Sequence, residues 1–118
     1  MLVERSGELF DVDEPARHGP ARFMLVVVPV REAGRQAIPA VTHVDGTARL
    51  QTVVRETSPR YYSLIERFGQ ATGVPVLLNT SFNLRGEPIV NTPAEAISTF
   101  ARSGMDALVL DRRIILKP

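Results

Sequence analysis

Aliphatic and β-branched residues fall in short runs along this chain, separated by polar stretches that carry proline or glycine. The run RFMLVVVPV at 22–30 is rich in β-branched residues and predicts a central strand, with Pro29 near its end. REAGRQAIPA at 31–40 predicts an exposed connection, and AVTHV at 40–44 a short strand. Asp45-Gly46-Thr47 then turns the chain, because Asp-Gly accepts the positive φ that a tight turn needs. From 48 to 54, Leu50, Thr52 and Val54 alternate with Arg49, Gln51 and Val53, the period of a half-buried strand.

Two stretches carry a helical period instead. SPRYYSLIERFGQATG offers Ser58 as N-cap, Pro59 at the first helical position and Gly73 as the stop. Its expected apolar face is Tyr61, Leu64, Ile65, Phe68 and Thr72. TPAEAISTFARSG at 92–104 repeats the recipe with Thr92, Pro93, Glu95 and Gly104, and with Ala96, Ile97 and Phe100 as its apolar positions. VPVLL at 74–78 reads as a buried strand, and DALVLD (106–111) with RIILK (113–117) as a hairpin. DEPARHGPAR at 13–22 reads as loop. The order predicts one α/β domain over 1–118: a mixed twisted sheet with helices packed on it, partly irregular over 1–21 and with its core in 22–118.

A chain of 118 residues suffices for one modest core. Its formal charge of +1 gives no bulk attraction to nucleic acid or an acidic membrane. No segment has the length and apolarity of a transmembrane helix, and the N-terminal stretch lacks the apolar core of a signal peptide. Cysteine is absent, so thiolate catalysis and zinc–thiolate sites are excluded, and the expected compartment is cytoplasmic. Thirteen arginines against the single Lys117 favour forked recognition of carboxylate or phosphate. Neither ordinary phosphate-loop motif occurs, and no close spacing of His, Asp and Glu predicts a metal site. His18 lies in a loop and reads as solvated.

Two stretches carry candidate chemistry. In THVDGTARLQTV (42–53), His43, Asp45, Thr47, Arg49 and Gln51 occupy alternate positions and share a face if the turn keeps the register. Arg49 on such a face can clamp a phosphate or carboxylate. The other reading is a solvated strand face, with Asp45 and Thr47 only making the turn. In NTSFNLRGEPIV (79–90), Asn79, Ser81 and Asn83 offer donors and acceptors beyond the end of a strand, where ligands of open α/β sheets gather. The competing reading is a network of side chains satisfying its own loop backbone. Phe82 reads as a core anchor.

Taken in order, PAVTHVDGTARLQTV, YYSLIERFGQATGVPVLLNTSFNLRGEPIVNTPAEAISTF and GMDALVLD resemble the C-terminal part of the O-carbamoyltransferase family, which modifies nodulation factors and antibiotics. The resemblance runs from about RFMLVV to the end. It implies a C-terminal YrdC-like α/β domain, incomplete at its N-terminal side, that takes carbamoyl phosphate and ATP with Mg2+ and forms carbamoyl adenylate. It implies that Arg49, Ser81 and Asn83 act on the reacting groups. His43, Asp45, Thr47 and Asn79 would shape the nucleotide and carbamoyl phosphate site around them. It also implies acceptor transfer by a metal-containing N-terminal domain with no counterpart in these residues. The expected partners are therefore a separate N-terminal carbamoyltransferase chain or a second copy. A non-catalytic module, binding nucleotide or protein, is the alternative.

Overall fold

The computed structural model describes residues 1–14 and 18–117, so the part of the expected 13–22 loop at 15–17 lies outside the described residues. The chain forms two compact units, Met1–Leu78 and Asn79–Pro118.

In the first unit, strands β1 (Val26–Pro29) and β2 (Thr47–Leu50) pair antiparallel, with Val26 opposite Leu50, Val27 opposite Arg49, Val28 opposite Ala48 and Pro29 opposite Thr47. Period two then divides the side chains: Val28, Ala48 and Leu50 are buried, while Val27 and Arg49 face out. The inner face meets Phe10, Val30 and Ile38 in one apolar core. The N-terminal segment joins in, as Leu2 bridges Val53 in parallel and Phe10 bridges Val30 antiparallel. Between them lies the one-turn helix α1 (Ser6–Leu9).

The connection from β1 to β2 contains a second single helical turn, α2 (Glu32–Arg35), which buries Gly34. The strand expected at 40–44 does not form. Pro39 begins a 3-10 turn over Pro39–Val41 instead, and the Thr42 hydroxyl donates to the Ile38 carbonyl at 2.9 Å. Likewise 22–30 is not one strand: a 3-10 turn occupies Pro20–Phe23, and Met24 takes a left-handed φ of 58° before β1 begins.

Helix α3 (Pro59–Thr72) starts and stops where expected, with Pro59 at its first turn and Gly73 left-handed at its end. Ser58 holds the N-cap position, but its side chain makes no capping bond. The buried face is Tyr62, Ile65 and Gly69; of the predicted face Ile65 is buried and Tyr61 packs beside it, while Leu64, Phe68 and Thr72 are exposed. Gly69 sets this phase. A Cβ there would lie 2.7 Å from the Pro75 Cβ, so the helix turns its bare glycine toward the chain that follows. That following segment, 74–78, is not the buried strand expected of it. No strand of the described residues pairs with it, Pro75 has no N–H to offer, and Val76 N–H donates back to the Val74 carbonyl at 2.9 Å. Packing against the cores, through Val74, Val76 and Leu77, takes the place of a ladder.

The second unit is built on helix α4 (Pro93–Arg102) and the hairpin of β3 (Ala107–Leu110) and β4 (Arg113–Leu116). Thr92 and Glu95 form a reciprocal capping box: the Glu95 N–H donates to the Thr92 hydroxyl at 3.2 Å and the Thr92 N–H to the Glu95 carboxylate at 3.0 Å. Ala96 and Phe100 pack against Leu108, with Phe82 beside them as the expected anchor. Arg102 grips Glu87 with two bonds of 2.6 and 3.0 Å, tying the loop before the helix to the helix end. The mixed α/β class thus holds, with its strands in two antiparallel pairs. No helix of the described residues is long and apolar enough to cross a membrane.

Candidate functional site

The Asp45-Gly46 turn does not keep one extended register, because Gly46 adopts φ +80°. It folds His43 back over β2 instead. The His43 N–H donates to the Thr47 carbonyl at 2.7 Å, and the Gly46 N–H to the His43 carbonyl at 2.9 Å. The side chains follow. Asp45 Oδ1 accepts from the Thr47 N–H at 3.0 Å and from the Thr47 hydroxyl at 2.7 Å. His43 Nδ1 lies 2.9 Å from the same hydroxyl. Those two donations, the hydroxyl's first, hold the Asp45 carboxyl below its ordinary range, with the nearby His43 adding to them. Three of the predicted residues are therefore joined in one hydrogen-bonded group, by a turn and not by a continuous strand.

Arg49 stands two residues beyond Thr47 on the outward face of β2. It is exposed and makes no hydrogen bond or ion pair within the described residues. Its register partner Val27 is 59% exposed and Leu25 is 73% exposed, so the cation borders apolar surface. Sequence reading placed Val27 in a buried strand and missed this. Three consecutive valines carry no period, so the sequence held no signal for the outward turn of Val27. Gln51 turns to structural use, its side-chain amide donating to the Arg22 carbonyl at 3.3 Å and its backbone carbonyl accepting from the Met1 amine at 2.9 Å.

In the second unit the predicted residues divide. Asn83 is half-buried and spends its amide on the loop, donating to the Glu87 carbonyl at 2.9 Å and to Leu84 at 3.3 Å. This is the self-satisfying network weighed above. Asn79 and Ser81 are exposed. Among the described residues, no three His, Cys, Asp or Glu side chains gather as a metal group.

A groove of about 300 Å³ in the first unit is lined by Ile38, Pro39, Val41, Phe68, Val74 and Val76. Thr72 on its wall commits its hydroxyl to the Phe68 carbonyl at 2.8 Å. Such an apolar wall offers no donor to a polyanion.

In this mixed α/β chain an exposed arginine, with no side-chain partner among the described residues, thus stands two residues along β2 from a linked His–Thr–Asp group. The chain belongs to the family described as carbamoyltransferase C-terminus, whose model matches residues 1–117. Nodulation protein NolNO of Sinorhizobium fredii is 48% identical over 117 residues, covering 99% of this chain and 17% of that protein. Nodulation protein NolO of Bradyrhizobium diazoefficiens is 47% identical over 116 residues, 98% of this chain and 21% of its own length. The 3'-hydroxymethylcephem-O-carbamoyltransferase of Amycolatopsis lactamdurans is 36% identical over 110 residues, 92% of this chain and 19% of that enzyme. The chain therefore spans about a fifth of the curated relatives it matches.

Proposed function

We propose that this chain is the carbamoyl phosphate- and ATP-binding portion of a carbamoyltransferase, YrdC-like in fold, working in the cytoplasm with the larger remainder of such an enzyme. The observation that carries the proposal is the uncommitted, exposed Arg49 beside the His43–Thr47–Asp45 group, in a chain of the carbamoyltransferase C-terminus family. In this reading Arg49 binds phosphate as a two-pronged donor. Asn79 and Ser81 contact ligand in their own unit, and Asn83 acts by holding their loop. Mg2+ arrives with ATP as part of the substrate. Carbamoyl adenylate then forms in balanced steps: water releases inorganic phosphate from carbamoyl phosphate, and an oxygen of the resulting carbamate attacks the α-phosphorus, expelling pyrophosphate. The protein's part is positioning and charge neutralisation. Acceptor transfer belongs to the four-fifths of the relatives that this chain does not span.

Titration calorimetry with carbamoyl phosphate, and separately with ATP and Mg2+, tests the proposal. Saturable binding is expected, weakened about tenfold or more by Arg49→Ala, the loss of one charge-assisted contact. Binding unchanged in that variant would remove Arg49 from the site. The Asn83 amide, spent on its own loop, favours a second reading, a binding module without turnover. Ligand binding without pyrophosphate release, even with the rest of a relative supplied as a separate chain, would establish it.

A further inference from the structure

The hydrogen-bonded group at the start of β2 fixes which nitrogen of the neutral His43 ring carries the proton. Asp45, held below the ordinary carboxyl range, is an anion at neutral pH and can only accept. The Thr47 hydroxyl, 2.7 Å from Asp45, therefore spends its one proton there. The oxygen of that hydroxyl is left with lone pairs, and it faces His43 Nδ1 at 2.9 Å. Nδ1 must then be the donor. The neutral ring has one proton, so Nε2 is bare, an acceptor at the end of an exposed ring. His18 is set the other way: its Nε2 lies 3.2 Å from the Glu14 carboxylate. The two histidines should show opposite tautomers.

An anion site needs donors, and a bare imidazole nitrogen beside an arginine is the wrong group for a phosphate oxygen. It is the right group for an N–H. Thr47 and Arg49 are two residues apart on one strand face, about 6.5 Å along the chain. The imidazole bonded to Thr47 and the Arg49 side chain therefore start from neighbouring positions of one strand face. We infer that His43 is the specificity-determining residue for the carbamoyl donor: Arg49 takes its phosphate, and His43 Nε2 accepts a hydrogen bond from its NH2 group. Acetyl phosphate, with a methyl group in that place, leaves Nε2 unpaired and is disfavoured. Thr47 and Asp45 are positioning residues, since they act only through the imidazole. This inference rests on the carbamoyl phosphate reading above and adds the group that reads the acyl end.

The experiment has two arms on the full chain. Long-range proton–nitrogen NMR of the free protein should show His43 protonated at Nδ1 and His18 at Nε2. Thr47→Val should release His43 toward the Nε2-protonated form, and Thr47→Ser should restore it. Titration calorimetry then compares carbamoyl phosphate with acetyl phosphate. The expected preference is tenfold or more for carbamoyl phosphate, lost in His43→Phe, which should weaken carbamoyl phosphate without weakening acetyl phosphate. Arg49→Ala should weaken both ligands alike. Equal affinities in the unmodified chain, with both ligands bound through Arg49, would overturn the inference and leave the proposed function standing. So would a preference that survives His43→Phe, or a His43 protonated at Nε2. Binding of neither ligand would overturn both.

Discussion

Met1 is an unusual place for a charge. Its amine donates to the Gln51 carbonyl at 2.9 Å from a residue only 5% exposed, and burial lowers its pKa from 8.0 to about 6. The folded chain thus binds that proton less tightly than the unfolded chain does. Between pH 6 and 8 the unfolded state carries more of it, so stability rises with pH across that window and levels off on either side. Two units of pKa correspond to about 2–3 kcal/mol. Urea unfolding of this chain at pH 6 and pH 8 should show the higher midpoint at pH 8, and adding a residue before Met1, which makes the amine an amide, should flatten the difference. Among the site residues, the turn at Asp45-Gly46 was legible because Asp-Gly encodes it locally. The exposure of Val27 and the folding back of His43 were not, since both depend on how β2 pairs with β1. Asn83 was legible only as a pair of alternatives, because its amide suits a ligand or a carbonyl equally, and the Glu87 carbonyl takes it.

Elements with a self-contained code came out as read. Helix α4 carries its start in Thr92, Pro93 and Glu95, all within one turn, and needs no distant partner. Thr92→Ala should cost about 1 kcal/mol, the usual value of a lost N-cap, read as a lower urea midpoint with an unchanged slope. Segment 74–78 shows the opposite case. VPVLL has the composition of a strand, but a strand also requires a neighbour to bond to, and composition does not supply one. The inward face of α3 was legible at Ile65 but not at Tyr62 and Gly69, for a related reason. Apolar spacing favoured Leu64 and Phe68, yet the close approach of Pro75 turns Gly69 inward. Gly69→Ala therefore places a Cβ 2.7 Å from Pro75 and should destabilise the first unit by about 1–3 kcal/mol, despite the better helix propensity of alanine. A neutral or stabilising result in chemical denaturation would show that this packing yields without cost.

At the scale of the whole molecule, the class of fold and the family were legible from separated motifs in order. The division into two units was not, because each local pattern fits a single layered sheet as well. The functional account places phosphate binding on β2 of the first unit and the carbamoyl NH2 on His43 beside it. The most direct measurement is a proton–nitrogen correlation spectrum of the labelled chain, titrated with carbamoyl phosphate. The account predicts saturable shifts concentrated in the amides of residues 43–49, largely lost in Arg49→Ala. Saturating ligand that leaves those amides unmoved, or moves only residues elsewhere, would contradict it.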